Sequence, residues 1–348
     1  MALPTYATRE DVKSALDVKE TARNNAQVDR ALQGASRSVE AKTKRRFYPE
    51  LATRYFPWPD RNSPTPWRLW LDEHEVVSIT TLTSAGVALA PTDYFLEPQA
   101  SGPPYDRVEV NRTATATFNT GSTPQQNIAI TGVFGYRLDT APAGTAAEAM
   151  DSSETGLDVS DGSLLGVGDL LAIDSERMIV TERSMLTTGL TLGGAGLTAS
   201  TSDVSVTASG AGINQGETIM IDAEKMRVVE VAGSVLVVKR AWDGSALAVH
   251  TAGATIFSPR TLTVARGALG TTAATHSISA PILRHTYPAL VTQICLAEAV
   301  SDLLQETAGW ARVAGSGDNE REVAARGLAD LRKRLCADVG RGSRNWAV

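Results

Sequence analysis

Gly168-Asp-Leu-Leu-Ala-Ile-Asp-Ser-Glu-Arg-Met178 returns 48 residues later as Gly216-Glu-Thr-Ile-Met-Ile-Asp-Ala-Glu-Lys-Met226. Glycine, an acid, isoleucine, aspartate, glutamate, a base and methionine coincide in the two copies. Each copy predicts a strand, a tight turn at Asp174-Ser-Glu176 or Asp222-Ala-Glu224, and a return strand, because apolar residues alternate on both sides of a turn-forming aspartate. A second repeat has a period of 26: Arg240-Ala-Trp-Asp-Gly244 with His250 and Ile256 matches Arg266-Gly-Ala-Leu-Gly270 with His276 and Ile282. Each of its copies follows an apolar strand. The stretch about 151–282 therefore reads as small β modules, each too small to bury a core alone, which share one by stacking.

Different material lies on either side. Residues 1–50 hold ten Lys/Arg against seven Asp/Glu, and residues 318–348 hold seven against five, which leaves a charge of −11 between them in a chain of net −6. No aromatic residue occurs between Tyr136 and Trp242. At the start, Thr8 with Asp11 three residues on predicts a capped short helix over Arg9–Leu16. A second helix is expected from about Ala22 to Arg46, with Val28, Leu32, Ala35 and Val39 on one apolar stripe. At the other end Pro288 opens a helix with Leu290, Ile294, Ala297 and Leu304 on one face. A break at Gly315-Ser-Gly317 precedes a last helix, with Val323, Leu328, Leu331 and Leu335 facing inward. Between them, residues 53–137 predict strands, at Arg68–Asp72, Val76–Leu82, Asp93–Leu96, Arg107–Val110, Ala114–Phe118 and Asn127–Thr131.

The expected fold class is α+β. Terminal helices (1–50 with 283–348) form a discontinuous helical bundle, and a β domain (51–150) and an inserted, repeat-bearing β domain (151–282) lie between them. The 348 residues suit two or three domains, and 43% hydrophobic content excludes wholesale disorder. The acidic balance argues against a protein that coats nucleic acid with its whole surface. Cys295 and Cys336 are too few for a disulfide framework or a cysteine-built zinc site and fit a reducing compartment. The charged start lacks the apolar run of a signal peptide, and Ala289–Val300 is too short to span a bilayer, so a soluble chain is expected.

Chemical signals are sparse. Asp174, Glu176, Asp222 and Glu224 could serve as acid/base groups or calcium ligands. A repeat that preserves a hairpin explains both copies better, and the EF-hand spacing is missing. His250 and His276 occupy equivalent repeat positions with no nucleophile motif nearby, which predicts loop histidines bonding backbone within the repeat. His74 lacks the second histidine of a zinc-protease helix. The glycine-rich Gly193–Gly196 opens no helix and is followed by no lysine. The basic run Lys42–Arg46 reads as a solvated helix end. In the polar tail, Arg341, Arg344, Asn345 and Trp346 form an Arg/Trp anchor of the kind found at protein interfaces. No catalytic constellation, metal site or cofactor motif is predicted.

Several stretches resemble known proteins. Thr8–Leu16 with the helix leading to Lys44-Arg-Arg-Phe-Tyr48 resembles the opening of head-to-tail connector proteins of long-tailed bacteriophages. Ile128-Ala-Ile-Thr-Gly-Val-Phe-Gly-Tyr136 is similar to a strand of their β-containing members. Leu262-Thr-Val-Ala-Arg-Gly-Ala-Leu-Gly-Thr-Thr-Ala-Ala-Thr-His276 resembles a module of phage structural proteins. The resemblance implies a structural head-to-tail adaptor in the virion neck, assembled in the bacterial cytoplasm. Twelve copies would form a ring with a central DNA channel, without sequence-specific DNA binding, enzymatic activity or membrane attachment. Its partners would be the portal protein, reached through Gly340–Val348, and a stopper or tail-completion protein. The alternatives are another neck component, such as the stopper, and a secreted carbohydrate-binding β protein. The aromatic-free stretch from Arg137 to Ala241 counts against the latter.

Overall fold

The computed structural model describes residues 3–16, 25–59, 65–119, 121, 123–307 and 318–341. Two helices open the chain, α1 (Arg9–Leu16) and α2 (Asn25–Thr43). Thr8 caps α1 reciprocally: its hydroxyl accepts the Asp11 N–H at 3.1 Å, and the Asp11 carboxylate accepts the Thr8 N–H at 2.9 Å. The predicted stripe of α2 is fully buried at Val28, Leu32, Ala35 and Val39. This helix stops at Thr43 rather than Arg46, because Lys44 turns into the left-handed region at φ 54°.

The described residues form two compact units. The smaller comprises Ser38–Asp139, Leu269–Thr271 and Lys333–Val348. Its strands are β1 (Glu50–Phe56), β2 (Arg68–Trp70), β3 (Val76–Ser84), β4 (Val87–Leu89), β5 (Tyr94–Glu97), β6 (Arg107–Val110) and β7 (Ile128–Phe134). They make a four-stranded sheet ordered β1-β7-β3-β4 and a three-stranded sheet ordered β2-β6-β5, all antiparallel. Phe56, Leu69, Leu82, Val108, Ile130 and Phe134 belong to one hydrophobic cluster fed by both sheets. Ala114–Phe118 is not a strand. Ala116 and Phe118 do turn to this cluster, but the segment pairs with no strand of either sheet.

The larger unit comprises Met1–Arg37, Thr140–Ala268 and Thr272–Arg332. Its strands are β8 (Thr140–Thr145), β9 (Gly156–Asp158), β10 (Leu170–Ile173), β11 (Glu176–Thr191), β12 (Ser205–Thr207), β13 (Thr218–Ile221), β14 (Glu224–Ala232), β15 (Val235–Lys239), β16 (Thr255–Ala265) and β17 (Pro281–His285). The helices α3 (Ala289–Thr307) and α4 (Asp318–Asp338) follow. All ten strands lie in one antiparallel sheet, ordered β12-β15-β14-β13-β16-β11-β10-β17-β8, with β9 paired to β16.

This order shows how the repeats are related. The run β9-β16-β11-β10-β17 has the same pairing as β12-β15-β14-β13-β16. One copy is therefore inserted inside the other, between the outer copy's two central strands. The long β11 and β16 serve the outer copy near Ile179–Ser184 and Thr261–Ala265, and continue outward to carry the inner copy. Nesting explains the two sequence periods. The first hairpin finds its partner in the last Arg/His motif, and the second hairpin in the first motif. The copies do not share a core as the sequence suggested. Leu157, Leu171, Ile173, Met178, Leu262 and Ile282 cluster in the outer copy, and Val206, Ile219, Ile221, Met226, Leu236 and Ile256 occupy the same places in a separate inner cluster.

The α+β expectation built on a helical bundle is overturned. The chain is mostly β: seventeen strands in three antiparallel sheets stand against four α-helices among the described residues. The helices dock on the strand-bearing part of the chain as well as on each other. In α1, Arg9 bonds Glu182 of β11, and the Glu10 carboxylate accepts the Val167 N–H at 2.8 Å. The helix thus rests on the loops of the outer repeat as well as on α2, where Arg9 also holds Asp29 at 2.6 and 2.8 Å. Gly168, at φ +101°, leaves the room that the N-terminal segment needs, since a Cβ there would lie 2.0 Å from the Thr5 hydroxyl. In α3 the buried face is Val291, Ile294, Cys295 and Ala299, and the predicted Leu304 is 51% exposed. In α4 Leu335 is buried as expected. The Val323 side chain and the Gly315–Gly317 break lie outside the described residues.

Leu171 is wholly buried at the centre of the outer cluster. Leu171→Ala is expected to cost about 2–5 kcal/mol, read as a lower denaturant midpoint with an unchanged m-value.

Candidate functional site

The two hairpin turns hold the densest buried chemistry among the described residues. In each, the first turn residue (Asp174 or Asp222) takes φ 53°, a left-handed conformation that aspartate tolerates. This places the next-but-one residue, Glu176 or Glu224, at the head of the return strand with its carboxylate completely buried.

Five donors meet each carboxylate. One oxygen of Glu176 accepts Arg266 Nε at 2.8 Å and the Gly267 N–H at 2.9 Å. The other accepts an Arg266 terminal nitrogen at 2.8 Å, the Ala274 N–H at 2.9 Å and His276 Nε2 at 2.9 Å. Glu224 repeats the set with Arg240 at 2.7 and 2.8 Å, Ala241 and Ala248 N–H at 2.9 Å, and His250 Nε2 at 3.0 Å. The remaining arginine N–H groups go to loop carbonyls. Arg266 reaches Asp151, Glu154 and Ala274, and Arg240 reaches Thr198, Asp203 and Ala248. All five donors of each guanidinium are thereby engaged.

The histidines do more than bond backbone. Each does pair main chain to main chain, His276 with Met150 and His250 with Leu197. Their rings, however, bridge two carboxylates. His276 Nδ1 lies 2.9 Å from Asp174, and His250 Nδ1 lies 2.7 Å from Asp222, while both Nε2 atoms face the buried glutamates. Each ring therefore has a carboxylate oxygen within 3.0 Å of both of its nitrogens. Glu, Arg, His and Asp thus clamp three loops of each module together.

Burial alone would push the glutamates up. The arginine, the two backbone N–H groups and the histidine more than offset it, and hold Glu176 and Glu224 down at about 2. Carboxylates so saturated have no lone pair for a substrate or a cation. Among the described residues no group of three or more His, Cys, Asp or Glu is arranged to hold a metal.

Sequence reasoning singled out the turn acids and the histidines but gave Arg240 and Arg266 no role. The signal was present: the arginine, like the acid, occurs once per copy, although at a different period. The other candidates lie elsewhere. Arg341 donates its backbone N–H to Thr43 at 3.0 Å, and its terminal nitrogens are buried without a hydrogen-bond partner among the described residues. Arg344, Asn345 and Trp346 lie outside the described residues. The basic run is engaged within its own unit, with Arg45 on Glu75 at 3.0 Å and Arg46 on Glu50 at 3.1 Å. His74 takes Arg54 on its Nδ1 at 3.1 Å.

The copies differ in a second acid. Glu217 binds Arg260 at 2.7 and 2.8 Å and also accepts the Gly162 N–H and the Ser258 hydroxyl. Its counterpart Asp169 accepts the Gly166 N–H. Burial, opposed by the field of Arg284, raises this carboxyl to about 7.

No protein family, curated protein or solved structure matches the chain.

Two predictions follow from these geometries. Arg240→Ala is expected to cost about 3–5 kcal/mol by leaving Glu224 buried and unpaired. Arg240→Met with Glu224→Leu is not expected to recover the loss, because the Ala241 and Ala248 N–H groups lose their acceptor. For both glutamates the folded state titrates below the unfolded one. Their stabilisation is complete above the ordinary value of 4.5 and is lost as pH falls toward about 2. Chemical denaturation across that window checks both statements.

Asp169 has the opposite sign. Its folded value lies above its ordinary 3.8, so its contribution is fully present below that pH and is lost as pH rises through about 7. Asp169→Asn keeps the acceptor for Gly166 and is expected to raise the melting temperature at pH 8 while leaving it nearly unchanged at pH 4.

Proposed function

We propose that the chain is a structural head-to-tail adaptor of a long-tailed bacteriophage, which assembles into a ring between the portal and the stopper or tail, with a channel for DNA. The observation that carries this reading is the saturation of both buried Glu–Arg–His clusters. The most concentrated acid–base chemistry among the described residues is fully engaged in holding loops, in duplicate. A protein that works by presenting fixed surfaces to neighbours has use for such rigidity. The resemblance of Leu262–His276 to a module of phage structural proteins points the same way, since that module contains Arg266 and His276, two members of the outer cluster.

The acidic middle of the chain suits a conduit, because a wall that bound phosphates tightly would slow the passage of DNA. Ring subunits use heterologous contacts, which close when the rotation per copy is right. A second reading, a stopper or tail-completion protein of the same neck, is favoured by the predominance of β structure. Order of assembly on purified portals separates the two: an adaptor binds portal directly, and a stopper binds only after another component.

The purified chain, imaged by negative-stain electron microscopy with and without portal, is expected to form rings with a central channel that dock on the portal. Deletion of Gly340–Val348 is expected to leave a folded subunit that no longer docks. A solitary chain that ignores portal, or undiminished docking after the deletion, would count against the respective claim.

A further inference from the structure

The duplication supplies an internal comparison. Both copies keep the aspartate, glutamate, arginine and histidine of the clamp. They differ in kind at three neighbouring positions. Arg227, Trp242 and Asp243 of the inner copy stand where the outer copy has Ile179, Ala268 and Leu269, whereas the base at Lys225 is kept as Arg177. Ile179 and Ala268 are buried apolar residues, whereas Arg227 and Trp242 are only half-buried and stack at 5.3 Å. All four inner-copy residues line one cavity of about 240 Å³ in the larger unit, partly open to solvent, with α1 and Arg183 and Arg284 on its other walls. The clamp explains what the copies share, and the cavity collects what they do not.

The charges on this wall are unevenly matched. It carries six cations (Arg9, Lys13, Arg183, Lys225, Arg227 and Arg284) and four carboxylates (Glu10, Asp11, Glu182 and Asp243). The carboxylates are already engaged. Glu182 binds Arg9, Asp243 is shared by Lys13 and Lys225 at 2.8 Å each, Asp11 caps α1, and Glu10 accepts the Val167 N–H and stands 3.5 Å from Arg183. Arg284 reaches the Leu164 carbonyl, and Arg183 reaches the carbonyls of Gly162 and Pro259. The Arg183 side chain is 9% exposed, and its Nε is buried with no hydrogen-bond partner among the described residues. Such an N–H costs free energy unless an acceptor reaches it.

We infer that this cavity is a binding site for a small phosphate-type oxyanion, held by Arg183, Arg227 and Arg284. Guanidinium groups suit it because their planar donors match the oxygens of a phosphate. Several water volumes of space accommodate one phosphate group. The phosphate can come free from solution or from the end of a nucleotide chain.

The test uses the full chain. Inorganic phosphate is titrated at constant ionic strength, made up with sodium chloride, while thermal melting and calorimetric binding are followed. A saturable rise of about 2 °C or more in melting temperature is expected. Arg227→Gln is expected to weaken phosphate binding about tenfold with little change in melting temperature without phosphate. Lys239→Gln is the control. Lys239 also stacks on Trp242, at 5.2 Å, but does not line the cavity, so its response to phosphate is expected to stay intact. A 5′-phosphorylated dinucleotide that binds more tightly than inorganic phosphate identifies a nucleotide source, and weaker binding identifies free phosphate. An equal shift from chloride alone, or an Arg227→Gln response equal to the unsubstituted chain, overturns the inference.

Discussion

A carboxylate buried without water is tolerable only when its oxygens are filled by donors of the right geometry. Glu176 and Glu224 meet that condition with five donors each, and most of the larger unit follows from it. Two of the five are backbone N–H groups of the loop between the arginine and the histidine. That loop therefore has its path set by the acid at the far hairpin. The arginine's other nitrogens set the path of the loop before the module's first short strand. One side chain thus does for three loops what a small β module has too little apolar mass to do by packing.

The same demand explains how one copy could be inserted into the other. The donors to the buried glutamate lie 90–100 residues away in the outer copy and 16–26 in the inner one, with the same partners and distances within 0.1 Å. Its geometry is blind to the length of chain between hairpin and arginine. What an insertion at that point requires is continuity of the two central strands. The long β11 and β16 provide it by carrying both modules on one ladder, bent by register shifts where one module gives way to the next.

Several features were legible in the residues alone. The hairpins were, because alternation and an aspartate at the turn act locally. The α1 cap and the α2 stripe were legible for the same reason. The nesting was not, although the unequal periods of 48 and 26 contained it, because a period says which segments are alike and not which ones pair. The histidines were misread in part because the partners of their rings are 26–28 residues away in one copy and 100–102 in the other. The fold class was misjudged for a different reason. Helical stripes announce helices, but not what else those helices rest on: Arg9 finds Asp29 nearby, while its second partner Glu182 and the partners of Glu10 and Lys13 lie more than 150 residues downstream.

Duplication within one chain separates two kinds of constraint that a single copy confounds. At a clamp residue any change leaves a buried charge or N–H unpaired, so both copies are held to the same side chain whatever else they do. Beside the clamp no such penalty applies, and the copies are free to differ. They differ in kind there, with a cation and an indole in one copy and aliphatic side chains in the other. Arg227 faces Lys239 directly across the β14–β15 ladder, a like-charge pair that a sheet does not favour. The Trp242 ring beside both cations offsets some of that repulsion.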